Sequence, residues 1–210
     1  MAKEGPDVYF RNWQQNRINF ILSKYPIEFF KNKKILELGS YNGYIGNFFK
    51  ELGSDVLVVE GRKENCDIIK TDYPDINVEC HDLDSNEWKF GKWDIIINFG
   101  LYYHLEKFHE EHMINCINNC NIMFFESVIF DSDDSKIFFE NENGLDQSLS
   151  NVGGTPTKSY VENIFKKLNV NFEYHPDGSI NGDGHTYNWQ ESNTNQSCRT
   201  CRRFWIIKNE

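Results

Sequence analysis

The sequence predicts an α/β protein built on a mostly parallel sheet with helices on both faces. Three observations carry that expectation. Short apolar runs alternate with stretches of helical periodicity from Lys34 onward. The first run, 35–38, breaks at Gly39, Gly43 and Gly46 and passes directly into the helical spacing of Tyr44, Ile45, Phe48 and Phe49. That is a strand, a tight turn and a helix, the first half of a βαβ unit. The second run, 56–59, ends in Glu60, about 20 residues past the first glycine, where an acid faces ribose hydroxyls in nucleotide-binding folds.

Taken in order, residues 9–25 read as an amphipathic helix. Ile18, Ile21, Leu22 and Tyr25 form one stripe, Phe10 and Trp13 extend it, and Pro26 ends it. Its aromatics are expected to pack in the core and not against a ligand. Strands are expected near 34–38, 55–60, 76–81 and 93–99, with helices near 44–52, 63–72 and 106–119 and a fifth strand over 122–127. Gly39 supplies the turn's dihedrals, Gly43 is read as admitting a ligand to the backbone, and Gly46 as letting helix and strand pack closely. The N-terminus of that helix is expected to offer free N–H groups to an anionic group. Residues 128–156 break the alternation and read as a long, acceptor-facing loop beyond the fifth strand. Thr157 caps a helix running to about Leu168. Residues 170–174 and 204–207 read as sixth and seventh strands. Between them, 175–203 is polar and rich in Gly and Asn, either a second lid element or a loose excursion. One domain is expected over 1–210, with 1–33 as a helical cap.

Composition narrows the function classes. The 210 residues carry a net charge of −10, which disfavours nucleic acid as a partner because such affinity rests on Lys and Arg. The clusters Lys31/Lys33/Lys34 and Arg199/Arg202/Arg203 read as solvated charges flanking strands. No stretch reaches the roughly 18 apolar residues of a membrane span, and residues 1–6 lack the apolar core of a secretory signal. A cytoplasmic protein without a membrane partner is the expectation. Its six cysteines are then expected to be reduced thiols. Cys198 and Cys201 make a single C-x-x-C, half of a zinc site. Cys116 and Cys120 could add two sulfurs, but the spacing does not demand it, and no metal is expected.

The segment Glu37-Leu38-Gly39-Ser40-Tyr41-Asn42-Gly43, then Glu60, then Asp82-Leu83, then Asn98-Phe99-Gly100 and on to Leu105 stand in a telling order. They resemble the first motif, the second acid, the adenine-side acid and the fourth-strand loop of class I S-adenosylmethionine-dependent methyltransferases. The resemblance covers roughly residues 34–107. It implies a Rossmann-like seven-stranded, mostly parallel sheet with the last strand antiparallel, and S-adenosyl-L-methionine as cofactor. It also implies that Glu37, Gly39, Ser40, Tyr41, Gly43, Glu60, Asp82, Leu83, Asn98, Phe99 and Gly100 hold that cofactor. Tyr41 stands where the family usually has a further glycine, which is acceptable if its φ stays negative.

Such chemistry asks the protein chiefly to bind, orient and exclude water, and to supply a base where the acceptor must lose a proton. His104, on the loop leaving the fourth strand, is the first candidate, since histidine changes charge near neutral pH; the alternative is a histidine that only bonds within its loop. Glu126 and Asp131 are the other candidate bases, with Asp146 and Gln147 behind them. Of Tyr102 and Tyr103, one or both are expected to pack. The acceptor is expected to be a small molecule or sugar-like, methylated on oxygen or nitrogen. Two other readings exist. Tyr103 and Lys107 fit the Y-x-x-x-K pattern of nicotinamide-dependent reductases, though too early in the chain and with the wrong glycine spacing. A non-catalytic binding module could also keep this fold.

Overall fold

Along a strand, successive side chains point to opposite faces, so an uninterrupted apolar run needs cover on both sides. The computed structural model describes residues 7–144, 147–198 and 200–209, with only the backbone of 7–11. Its strands are β1 (Lys34–Leu38), β2 (Asp55–Glu60), β3 (Asn77–Cys80), β4 (Trp93–Phe99), β5 (Cys120–Val128), β6 (Ile137–Asn141), β7 (Val152–Pro156), β8 (Asn171–Tyr174) and β9 (Arg202–Lys208). Its helices are α1 (Asp7–Lys24), α2 (Tyr44–Glu51), α3 (Lys63–Asp72), α4 (His109–Asn118) and α5 (Lys158–Lys167). Seven strands form one sheet in the order β3-β2-β1-β4-β5-β9-β8. Every pairing in it is parallel except those of β9, which runs antiparallel to β5 and β8. The strand order reverses between β1 and β4, the point at which open α/β sheets bind their ligands.

The alternation is visible in the core. Ile35, Ile95, Ile97, Phe124, Phe204 and Ile206 pack with residues of α1, α2 and α3 on one face. Leu36, Leu38, Ile96, Met123, Phe125, Trp205 and Ile207 pack with α4 and α5 on the other. Each such side chain contributes about 1.5–3 kcal/mol by leaving water. The stripe expected on α1 is present in Ile18 and Ile21, but Gln14 and Arg17 are buried with it. The helix thus turns a polar edge toward the carboxyl ends of the strands. The side chain of Phe10 lies outside the described residues. No helix among the described residues is long and apolar enough to cross a membrane.

Four expectations need correction. Residues 128–156 are not a plain loop: β6 and β7 pair antiparallel within them, Phe139 opposite Gly154 and Glu140 opposite Gly153. The β7 sequence Val-Gly-Gly-Thr-Pro reads as a turn because glycine weakens strands. Here the glycines make room, since a Cβ on Gly153 would sit 2.5 Å from Cδ of Glu142 and one on Gly154 2.5 Å from Cε1 of His109. The polar segment 175–203 is anchored, not loose. Arg203 donates to the carbonyls of Tyr187 (3.0 Å) and Trp189 (3.1 Å), and Ile180 and Tyr187 are buried.

Arg202 and Arg203 are therefore not solvated charges; both are buried against carboxylates and backbone carbonyls, while Arg199 lies outside the described residues. Finally, Cys198 and Cys201 are not free thiols but form a disulfide. A turn closed by the Cys201 N–H on the Cys198 carbonyl (2.8 Å) brings their Cα atoms to 5.1 Å, within bridging range. Cys66, Cys80, Cys116 and Cys120 are free.

Candidate active site

The turn after β1 is built by positive φ angles at Gly39 (68°) and Gly43 (75°), a region that costs other residues energy. Tyr41 also has φ at 60°, which corrects the expectation of a negative value. A non-glycine residue there costs about 1–2 kcal/mol, and its N–H is held by Oε2 of Glu60 at 2.9 Å. The N-terminus of α2 is not free for an anion. Gly43 N–H donates to Oγ of Ser40 (2.8 Å), Tyr44 N–H to Oδ1 of Asn42 (3.1 Å) and Gly46 N–H to Oε2 of Glu37 (2.8 Å). The chain has capped these otherwise orphaned donors. Burial pushes the Glu37 carboxyl up to about 8, against the opposing pull of the Gly46 and Ser40 hydrogen bonds.

A cavity of about 410 Å³ opens at the carboxyl ends of the strands, lined by Glu37, Gly39, Ser40, Tyr41, Glu60, Asp82, Leu83, Phe99 and Gly100 among others. Two expected cofactor residues stand off its wall. Gly43 packs against α3, where a Cβ would come within 2.7 Å of Ile69. Asn98 is fully buried, its amide 2.9 Å from Nε2 of His112. Burial lowers His112 to about 4, so this ring is a neutral acceptor for the amide. Asp84, which the sequence reading passed over, gathers the N–H groups of Glu106, Lys107 and Phe108 at 3.0–3.1 Å and fixes the loop after β4.

That loop begins at Gly100 (φ 68°), whose N–H donates to Oε2 of Glu126 at 2.9 Å. A short 3-10 turn, Tyr102–His104, follows. Tyr102 is buried and donates its hydroxyl to the His109 carbonyl (2.9 Å), leaving Tyr103 and His104 to line the cavity. Nδ1 of His104 lies 2.6 Å from Oε2 of Glu142, just beyond β6. The same oxygen accepts the Ser148 N–H at 3.1 Å. Glu142 was not legible as a site residue, because it sits in a polar stretch with no periodicity. Its only signal was membership in the segment read as acceptor-facing.

The two carboxylates proposed beside His104 are elsewhere. Glu126 is fully buried, 2.5 Å from Arg17 and 3.1 Å from Arg202, and off the cavity wall, so its charge is spent on two guanidiniums and the Gly100 N–H. Asp131 accepts the backbone N–H groups of Ser192, Asn193 and Thr194 and the hydroxyls of Ser192 and Thr194, at 2.7–3.1 Å. Burial alone would raise its carboxyl, but these bonds hold it down to about 2. It is a clamp for the 192–194 loop. Trp13, expected in the core, instead reaches the cavity with Asp183, His185 and Arg202. The Tyr103–Lys107 pair of a reductase is not assembled: the Tyr103 hydroxyl accepts from Arg202 at 3.1 Å, and Lys107 neighbours Glu106 at 3.8 Å. Arg62 donates to the carbonyls of Gln147 (2.6 Å) and Ser148 (3.2 Å), tying the β6–β7 loop to the end of β2; Asp146 lies outside the described residues.

Fold and cavity together define a Rossmann-like α/β protein with a cavity at its topological switch point. Solved structures with this fold include the N-terminal domain of EvdMO1 with SAH bound (TM-score 0.67, 13% identity, 93% of this chain and 80% of that one). They also include a putative S-adenosylmethionine-dependent methyltransferase from Listeria monocytogenes (0.66, 11%, 93% and 99%). A third is a putative methyltransferase from Haloferax volcanii, in complex with the Trm112 methyltransferase activator (0.67, 10%, 98% and 94%). The chain thus has the fold of S-adenosylmethionine-dependent methyltransferases. No protein-family model matches its sequence, and neither does any curated protein.

Proposed function

We propose that this chain is an S-adenosylmethionine-dependent methyltransferase acting on oxygen or nitrogen of a small-molecule or sugar-like acceptor. The observation that carries the reading is the His104–Glu142 pair on the wall of the cavity that also holds Glu60 and Asp82. The residues suit the cofactor's chemistry. Glu60 and Asp82 would hold the ribose hydroxyls and the adenine side, Leu83, Leu101 and Leu149 line the same cavity with apolar groups, and Gly39 to Tyr41 with Phe99 and Gly100 would hold the methionine end.

When bound, S-adenosylmethionine supplies a methyl group on a positively charged sulfur. The chain's tasks are to hold the acceptor in line, keep water out and take a proton. The Glu142 carboxylate, 2.6 Å from Nδ1, would hold a proton on that nitrogen and leave Nε2 as the atom that acts as base. His104 would take the acceptor's proton at Nε2, leaving the acceptor atom its electron pair, and Glu142 would then face an imidazolium and balance its charge. Tyr103, its ring 4.0 Å from that of His104, and Trp13 flank the acceptor's place. Calorimetry with S-adenosylmethionine, followed by transfer of labelled methyl to a metabolite panel, tests the reading. Failure to bind the cofactor would overturn it, and binding without transfer to any acceptor would favour a non-catalytic module.

A further inference from the structure

One charge imbalance beside the cavity is unexplained by anything above. Arg17 and Arg202 are both buried, and one carboxylate, Glu126, serves both: Oε2 lies 2.5 Å from Nη2 of Arg17 and Oε1 3.1 Å from Nη1 of Arg202. Guanidinium stays charged in proteins, so two cations face one anion. Nε of Arg202, and Nε and Nη1 of Arg17, are buried without a hydrogen-bond partner. An uncompensated buried charge is costly, and unpaired buried donors in a native fold call for an explanation.

Among the described residues, the neighbours of the two guanidiniums do not supply the missing anion. Trp13 offers a ring face, 3.1 Å from the Arg17 guanidinium carbon. Tyr103 and Tyr187 keep their protons because burial raises both. His185 is neutral, lowered to about 2 by burial and by the two guanidiniums. Asp183 accepts the Trp13 N–H at 2.8 Å and is in the ion pairs of neither guanidinium. Arg202, unlike Arg17, lines the cavity, where it donates to the Tyr103 hydroxyl at 3.1 Å, and the Tyr103 ring lies 4.0 Å from that of His104.

We propose that the methyl acceptor carries a carboxylate, and that Arg202 at the cavity wall receives it while His104 faces the atom to be methylated. This rests on the methyltransferase reading. A monoanion brings the cluster to two positive and two negative charges. A phosphate dianion would exceed that balance, and the carboxylates of Glu140, Glu142 and Asp183 on the wall, which oppose any anion, oppose a dianion more strongly than a monoanion. Nη1 and Nη2 of Arg202 each serve one partner already, Glu126 and Tyr103, so the carboxylate is to meet the N–H groups that remain, Nε among them. The chain's overall charge of −10 does not oppose this, because charges beyond about 8–10 Å are screened whereas a buried cation is not.

The test uses the whole chain saturated with S-adenosylhomocysteine. Small hydroxy- and amino-carboxylates, each paired with its primary amide, are titrated by calorimetry and thermal shift. Carboxylates are expected to bind at least tenfold more tightly than their amides. That preference should shrink to near unity in Arg202→Gln, with Arg202→Lys intermediate should the glutamine variant fold poorly. Amides binding as well as carboxylates, or a preference undiminished in both variants, would overturn the proposal. Failure of S-adenosylhomocysteine itself to bind would strike the methyltransferase reading instead, so the two failures are distinguishable.

Discussion

Nδ1 of His104 and Oε2 of Glu142 meet at 2.6 Å although 38 residues separate them. The β6–β7 hairpin therefore completes a site that the loop after β4 begins. If this pair handles the acceptor's proton, His104→Asn lowers turnover roughly 10²–10⁴-fold while leaving the cofactor dissociation constant near its wild-type value. Glu142→Gln, which keeps the shape and removes the charge, should cost about tenfold or more through loss of tautomer control. Steady-state kinetics beside calorimetry checks both, and two variants with full turnover would reduce the pair to a loop contact.

Glu60 is expected to bind ribose hydroxyls through charge-assisted bonds of about 1.5–3 kcal/mol each. Glu60→Ala should weaken S-adenosylmethionine binding at least about tenfold, one decade being about 1.4 kcal/mol. Because the same carboxylate holds the N–H groups of Tyr41 and Arg62 at 2.9 Å, the melting temperature should fall as well. An unchanged dissociation constant, measured calorimetrically, would remove the assignment.

Glu37 carries a pH dependence of known sign. Its carboxyl is raised from 4.5 to about 8 in the fold, first by burial, so between those values the folded state binds a proton that the unfolded chain has released. Stability from this group is complete below pH 4.5, declines as pH rises toward 8 by up to about 1.4 kcal/mol per unit, and is flat beyond. Denaturant midpoints of Glu37→Gln should lack that decline. Parallel wild-type and variant curves between pH 5 and 8 would contradict it.

Asp131 behaves oppositely. Its carboxyl is lowered from 3.8 to about 2, so its contribution is present above pH 3.8 and lost as pH falls through about 2. Asp131→Ala should cost about 2 kcal/mol or more at neutral pH, the scale of one or two hydrogen bonds to a charged group, and should show a weaker acid dependence. If the chain is a methyltransferase, its activity should survive in the variant that stays folded, since Asp131 is off the cavity wall. Urea unfolding at pH 7 and pH 3 provides the comparison.

The parallel half of the sheet was legible because strands covered on both faces must be apolar throughout; Ile35 to Leu38 and Val56 to Val59 advertise themselves. That Glu60 and Asp82 would line the cavity was legible because both lie at the carboxyl ends of their strands, the edge of the sheet at which such folds place their ligands. Tertiary contacts decided the rest. Nothing local marks Arg202 as buried, because its partner Glu126 comes from another strand. Gly153 and Gly154 read as a turn until the volume of Glu142 and His109 explains them. Capping by Ser40, Asn42 and Glu37 was equally hidden, since polar residues near a glycine turn serve ligands and backbone alike.

The glycine pair in β7 has a practical consequence for recognising kin. With identities of 10–13% to structures of this fold, overall similarity is too diffuse to say which chains share this site. Space is a sharper criterion: besides touching Glu142, a Cβ at Gly153 would lie 2.8 Å from the Tyr103 carbonyl. A chain that keeps Tyr103 and His104 after its fourth strand, an acid at the position of Glu142, and two consecutive glycines at 153 and 154 has kept the packing that brings them together. That sparse pattern is a fingerprint by which divergent sequences can be sorted.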